Sequence, residues 1–250
     1  MKNILKTFVI SFLGMALFAN LSFAKVSKVD SNFDGKMDQW HHSNEEGKLY
    51  KIEYDSDFDG TIDQVEHFKG EKKMSKAEFD SNKDGKMDQV QHYSQNGKIE
   101  RVEKDSKFNG YFDLKEHFNE AGKIKRVEID QDGNGLIDVL QYFDDKQKLI
   151  RIDYDSDQNG KIDRWDYFQN ETLEKVGFDT NSDSKPDQWQ YFSGNKILRR
   201  VENDSNHDGK IDQWDTLTLR GNLKRKKWIE ILMANQTWFK TINQKLFNLI

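Results

Sequence analysis

One spacing constrains this chain more than any other property. Asp30, Asp55, Asp80, Asp105, Asp130 and Asp155 recur every 25 residues, Asp179 follows after 24, and Asp204 after another 25. A chain repeating at such an interval is expected to fold as an array of equivalent units, each burying its apolar surface against its neighbours. Eight copies run from Asp30 to about Arg225 with no linker or low-complexity tract between them. Composition points the same way. Apolar residues make up 35% of the chain and charged ones 33%, against the ~45–50% apolar share usual for globular domains, so one large core is not expected. There is no Cys, hence no disulfide to replace the missing core.

A typical unit opens at Asp80 with DSNKDGKMD, followed by QVQHY, SQNGK and IERVEK. Two short β-rich runs separated by a Gly-containing turn read as a β-hairpin. A helix is not expected, because neither run exceeds about seven residues and turn formers bound both. Counting the opening Asp as position one, position eleven holds Trp40, Val65, Val90, Leu140, Trp165, Trp189 and Trp214, with Lys115 the exception. Position thirteen is His or Tyr in seven copies, from His42 to Tyr191. On the second run Ile52, Val102, Val127, Ile152 and Val201 share one phase. Alternation then predicts one buried face carrying all three sets. Phe68, Phe118, Phe143, Phe168 and Phe192 fall out of that phase and read as plugs at the hairpin ends. The expected fold is all-β: tandem hairpins in an extended antiparallel meander, with a β-solenoid as the alternative.

The first nine residues of each unit carry the chemistry, as Asp-x-[Asp/Asn]-x-[Asp/Asn]-Gly-x-x-Asp. The first four sets are Asp30, Asn32, Asp34, Asp38; Asp55, Asp57, Asp59, Asp63; Asp80, Asn82, Asp84, Asp88; and Asp105, Asn109, Asp113 with Lys107 at the third place. The last four are Asp130, Asp132, Asn134, Asp138; Asp155, Asp157, Asn159, Asp163; Asp179, Asn181, Asp183, Asp187; and Asp204, Asn206, Asp208, Asp212. Short oxygen-bearing side chains at alternate positions let a tight loop turn several hard ligands inward, as a calcium ion requires. Gly35, Gly60, Gly85, Gly110, Gly135, Gly160 and Gly209 hold the sixth place, where the chain turns sharply. All these loop residues are candidate calcium ligands. The competing reading is that the same residues only form turns, capping backbone amides.

The nine-residue pattern resembles the calcium loops of EF-hand proteins, dockerins and thrombospondin type 3 repeats. The hairpins between, such as Tyr142-Phe143 through Arg151-Ile152, are weakly similar to RHS/YD-type bacterial repeats. The EF-hand resemblance implies a bidentate Glu at position twelve on a following helix. This chain has His41, Glu66, Gln91, Glu116, Gln141, Asp166, Gln190 and Asp215 there instead, so that ligand is not carried over. By charge the second loop is expected to bind most tightly and the fourth, with Lys107, most weakly. Ser184 replaces the Gly of the seventh loop and Pro186 follows it, which predicts strain.

His42, His67, His92 and His117 form a column at the repeat spacing, readable as a transition-metal site or as ring packing, since Tyr fills the slot later. The Trp and Tyr column is readable as a carbohydrate-binding platform or as core. No Cys nucleophile, Gly-x-Ser-x-Gly elbow or phosphate loop is present, so no enzyme is expected. Residues 1–24 read as a signal peptide, with Lys2 and Lys6, an apolar run Phe8 to Phe18, and Ser22-Phe23-Ala24 before the cut. Its removal takes the formal charge from -5 to -7, which argues against a nucleic-acid surface. The expectation is a periplasmic or secreted, non-catalytic repeat protein that binds calcium, with a surface protein or glycan as partner and no membrane span. The tail at 226–250 departs from the repeat. Shifted by one base, 227–239 read in common AT-rich codons as Met-Asp-Arg-Asn-Ser-Asp-Gly-Lys-Pro-Asp-Met-Val, a ninth loop.

Overall fold

The computed structural model describes residues 25–70, 73–194 and 197–217. The leader at 1–24, the tail at 226–250 and the end of the eighth repeat lie outside the described residues. Every regular element described is a β-strand. The chain divides into two compact units, Met1–Phe112 and Asp113–Ile250.

The first unit contains β1 (Lys25–Val29), β2 (Gln39–Ser43), β3 (Leu49–Tyr54), β4 (Gln64–Lys69), β5 (Lys73–Phe79), β6 (Gln89–Tyr93) and β7 (Ile99–Lys104). The second contains β8 (Leu114–Phe118), β9 (Ile124–Ile129), β10 (Val139–Phe143), β11 (Leu149–Tyr154), β12 (Arg164–Gln169), β13 (Thr172–Phe178), β14 (Gln188–Ser193), β15 (Ile197–Asn203) and β16 (Gln213–Thr216). Within each unit, successive strands pair antiparallel in chain order. Among the described residues the outer strands β1 and β16 each pair on one side only, so the meander they bound is open. A solenoid is excluded, because its coils would bring like strands together in parallel.

Local chemistry sets the alternation of turns. Tight hairpin turns lie at one end of each unit and the Asp-rich loops at the other. In the first hairpin turn the Asn44 side-chain oxygen accepts from the Glu46 and Lys48 amides at 3.0 and 2.9 Å. Gly47 there takes φ +78°, which L side chains rarely adopt.

The expectation of one shared buried face is corrected by the register. Trp40 lies opposite Glu53, while His41 lies opposite Ile52. Directly opposed residues share a face, so the position-eleven column and the Ile/Val column lie on opposite faces. The phase shift has a cause the pattern hid. In each of the seven hairpins among the described residues the register slips by one residue beside the turn, as between Tyr142 and Phe143. The bulge skips Ile150, for example, so Leu149 and Ile152, three apart, point the same way. Phe143, opposite Leu149, therefore sits on the apolar face and packs against the core of Val127, Ile129, Val139, Ile152 and Tyr154 in the second unit. The Phe residues are part of that face as well as hairpin-end plugs.

The other face is built from ions and rings. In the second unit Arg151 lies over the Tyr142 and Tyr167 rings at 4.5 and 5.8 Å, and Lys175 over Tyr167 and Trp189 at 4.7 and 4.4 Å. Such contacts contribute about 0.5–1 kcal/mol each at exposed sites. Burial pushes the Glu53 carboxyl up, but hydrogen bonds from Lys51 and His42 outweigh it and hold the group below its usual value. Position twelve is on the Ile/Val face, as His41 opposite Ile52 shows. Asp166 lies opposite Ile152 and Val176, hence on the apolar face, where it is fully buried with both oxygens held by Arg164 at 2.7 and 2.9 Å.

Candidate metal centre

Each Asp-rich loop closes on its own main chain. The position-nine amide donates to the carbonyl just before position one, as from Asp38 to Val29 at 2.9 Å and from Asp138 to Ile129 at 3.0 Å. The position-nine carbonyl then accepts from the opening Asp of the next loop, as from Asp55 to Asp38 and from Asp155 to Asp138, both at 2.9 Å. Two residues per loop are left-handed. The expected Gly at position six is one, with φ +91° at Gly35 and +97° at Gly60. The residue at position four is the other, including Phe33 (+62°), Lys83 (+62°) and Gln158 (+60°). Ser184 adopts φ +65° in the seventh loop, so the strain expected there is realised.

The side chains divide into an inner and an outer pair. Among opening residues, Asp55, Asp80, Asp105, Asp130, Asp155 and Asp204 are buried, and at position nine so are Asp38, Asp88, Asp113, Asp138 and Asp187. Asp30, Asp63, Asp163 and Asp179 are half-buried and Asp212 is exposed. All residues at positions three and five are exposed: Asn32, Asp34, Asp57, Asp59, Asn82, Asp84, Lys107, Asn109, Asp132, Asn134, Asp157, Asn159, Asn181, Asp183, Asn206 and Asp208. The opening Asp accepts from amides within its own loop, as Asp55 does from Asp59 and Gly60 at 3.0 and 2.9 Å, and as Asp130 does from Gly133 and Gly135, both at 2.7 Å. In the fourth loop Asp105 does the same for Asn109 and Gly110. Position nine accepts from the position-two amide, as Asp38 does from Ser31 at 2.8 Å.

Carboxylate oxygens converge in three loops. Asp55, Asp57 and Asp59; Asp130, Asp132 and Asp138; and Asp155, Asp157 and Asp163 each bring one oxygen per residue within 4.8 Å of the others, and such groups can hold a metal ion. The remaining candidate residues do not form such a three-carboxylate group among the described residues, in part because Asn replaces Asp at position three or five.

Backbone capping by itself is what turn-forming residues would do. Two atoms are not explained by it. Asp38 and Asp138 are 3% and 4% exposed, and the buried Oδ1 of each has no hydrogen-bond partner. A buried carboxylate oxygen without a donor is costly. In the fifth loop two more carboxylates lie beside it. Burial pushes the Asp138 carboxyl above its ordinary value, and Asp132 and Asp130 add to the rise against the amide bonds that lower it. This arrangement fits a cation, whose charge would satisfy the free oxygen and cancel the repulsion.

Two features were missed by sequence reasoning, though both left signals. Position two is Ser or Thr in every copy except Gln131, and in the second, sixth, seventh and eighth loops its hydroxyl donates to the position-nine carboxylate, as from Ser56 to Asp63 at 2.7 Å and from Ser156 to Asp163 at 2.6 Å. Asp138, beside Gln131, retains a free oxygen, but so does Asp38 beside Ser31, so the residue at position two does not by itself decide it. Position four has a left-handed backbone, and in two copies its side chain reaches the preceding loop. Lys83 meets Asp57 at 2.5 Å, and His207 Nδ1 lies 3.4 Å from Asp187.

The histidine column forms no metal cluster among the described residues. His42, His67, His92 and His117 each meet a carboxylate, Glu53, Glu78, Glu103 and Glu128, at 2.6, 3.2, 2.9 and 2.8 Å. Lys51 and Lys76 stand between the imidazoles of the first unit. The tryptophans at position eleven lie on this ion-and-ring face.

No family model matches the chain, and no curated protein matches it. Solved structures resemble it only weakly. A porin-like protein from Bacteroides uniformis ATCC 8492 has a TM-score of 0.23 at 10% identity, covering 76% of this chain and 92% of that one. The GtfA/B complex bound to UDP and GlcNAc has a TM-score of 0.18 at 10% identity, covering 52% of this chain and 22% of that one. S. aureus TarM has a TM-score of 0.16 at 12% identity, covering 61% of this chain and 21% of that one. The chain thus spans about a fifth of the GtfA/B and TarM chains. At such TM-scores none of these likenesses carries an argument about this chain.

Proposed function

We propose that this chain is an exported, non-catalytic repeat protein whose Asp-rich loops bind calcium, with the metal stiffening a structural or surface-interaction array. The observation that carries this reading is Asp138, a buried carboxylate with one oxygen unpartnered, grouped with Asp130 and Asp132. Every donor at the loop positions is oxygen except Lys107, which favours a hard cation over zinc or copper. The loops offer carboxylates and amides on a backbone without helical constraint, which suits the variable coordination of calcium better than the strict octahedron of magnesium. Export rests on the leader pattern at 1–24. Among the described residues no helix is long and apolar enough to cross a membrane. A surface protein or glycan is the partner this role calls for.

The test is a calcium titration of the EDTA-stripped chain, with magnesium as control, followed by bound-metal stoichiometry, circular dichroism and Trp fluorescence. Several calcium ions per chain and a matching gain in stability support the reading. A folded protein that binds no calcium makes the Asp residues turn formers and overturns it.

A further inference from the structure

The second loop has four Asp, and by charge alone it would bind calcium most tightly. Its geometry adds a factor that counting charges leaves out. Asp55, Asp57 and Asp59 do converge, but a cation from the neighbouring loop lies against Asp57. Lys83 stands at position four of the third loop, and its Nζ is 2.5 Å from Asp57 Oδ2. The Lys83 side chain runs along a groove shared with Asp57, Asp63, Asp80 and Ser81. The two loops lie side by side, with Thr61 Cγ2 3.9 Å from where a Cβ on Gly85 would stand.

The reach of Lys83 follows from the backbone. Position four is left-handed throughout the array, at +65° in Phe58, +62° in Lys83 and +57° in His207. Phe33, which has no loop before it, is 90% exposed, whereas Phe58 and Phe108 are 45% and 52% exposed. Phe occupies position four in the first, second and fourth loops, Gly133, Gln158 and Ser182 in the fifth to seventh. Lys83 is thus the one lysine at this place.

We infer that Lys83 is a tethered competitor for the metal of the second loop: its ammonium neutralises Asp57 and competes with a calcium ion for that carboxylate. The inference rests on the calcium reading of the loops. The hydrogen bond from Lys83, the largest influence on Asp57, holds its carboxyl below the ordinary value, and Lys83 is raised in turn by Asp57, with Asp63 and Asp59 contributing. The ammonium therefore feels three of the four carboxylates of the loop. A site that carries its own cation responds to calcium later than its neighbours, so the array fills in an order set by position four rather than by counting Asp residues.

The experiment uses the full chain labelled with ¹⁵N-glycine, since Gly35, Gly60, Gly85, Gly135, Gly160 and Gly209 each report one loop. Calcium is titrated into wild type, Lys83→Met, Lys83→Arg and Lys86→Met. The last removes the same charge from position seven of the same loop. Lys83→Met is expected to lower the calcium midpoint at Gly60 by about two- to five-fold, the range that exposed ion pairs support. The Gly35 and Gly135 midpoints should not move, and Lys83→Arg should stay near wild type. An unchanged Gly60 midpoint in Lys83→Met while the glycines titrate overturns the inference and leaves the calcium reading standing. An equal shift in Lys86→Met also overturns it, by making net charge sufficient. If no glycine responds to calcium in any protein, the calcium reading falls and this inference with it.

Discussion

Replacing Asp138 with Asn should have opposite effects with and without calcium. Asp138 is buried, its Oδ2 accepts from the Gln131 amide at 2.6 Å, and its Oδ1 has no partner. Carboxylate oxygens of Asp130 and Asp132 lie within 4.8 Å. At that separation a pair of like charges costs about 0.9 kcal/mol in water and about 3.5 kcal/mol at an effective dielectric of about 20. Asp132 is exposed, so the low end applies to it, and taking the same value as a floor for the buried Asp130 gives about 2 kcal/mol from the two neighbours together. Asn removes that repulsion but weakens the charged hydrogen bond to Gln131 by about 1 kcal/mol. Without calcium the variant should therefore be about 1 kcal/mol more stable locally. With calcium at about a hundred times Kd, a filled site adds about 2.7 kcal/mol, which the variant forfeits. It then becomes less stable than wild type by about 1–2 kcal/mol.

Amide hydrogen exchange across β9 and β10 is the assay, because it reads stability locally in an array that need not unfold all at once. The pH dependence follows from the raised carboxyl. A carboxyl raised in the folded state favours folding while protonated, below its unfolded value near 3.8, and that contribution is lost as pH rises through the folded value. The calcium-free advantage of Asp138→Asn should accordingly disappear as pH falls to about 4. Equal loss of protection in EDTA and in calcium would refute the reasoning and leave Asp138 as a turn former.

Two further predictions concern the sheet that carries the loops. Arg164→Met leaves Asp166 buried without its clamp and should cost about 3–5 kcal/mol, read by urea unfolding, while Arg164→Met with Asp166→Leu should recover most of it. Gly177→Ala places a Cβ at 2.9 Å from Trp189 Cζ3 and 3.1 Å from Pro186 Cβ. It should destabilise the second unit by about 1–3 kcal/mol through overpacking, with a change in Trp fluorescence as the indole lifts off.

Much of this protein is written in its sequence. The Asp spacing determined the repeat, and the runs bounded by turn formers determined hairpins, because a strand needs only local alternation and a turn only local backbone chemistry. The left-handed Gly at position six and the strained Ser184 were legible for the same reason. The faces were not. A one-residue bulge beside each turn moves residues three apart onto one side, and only the pairing of Tyr142 with Arg151 and of Phe143 with Leu149 reveals it. Nor could loop composition show that Asp138 keeps a free oxygen while Ser56 fills that role for Asp63, or that Lys83 crosses to Asp57. Those outcomes depend on which side chains the folded strands bring within a few ångströms, a relation between residues 26 apart in the case of Lys83 and Asp57. Repetition specifies the unit, but contacts between units exist only once the strands have paired and set the loops side by side.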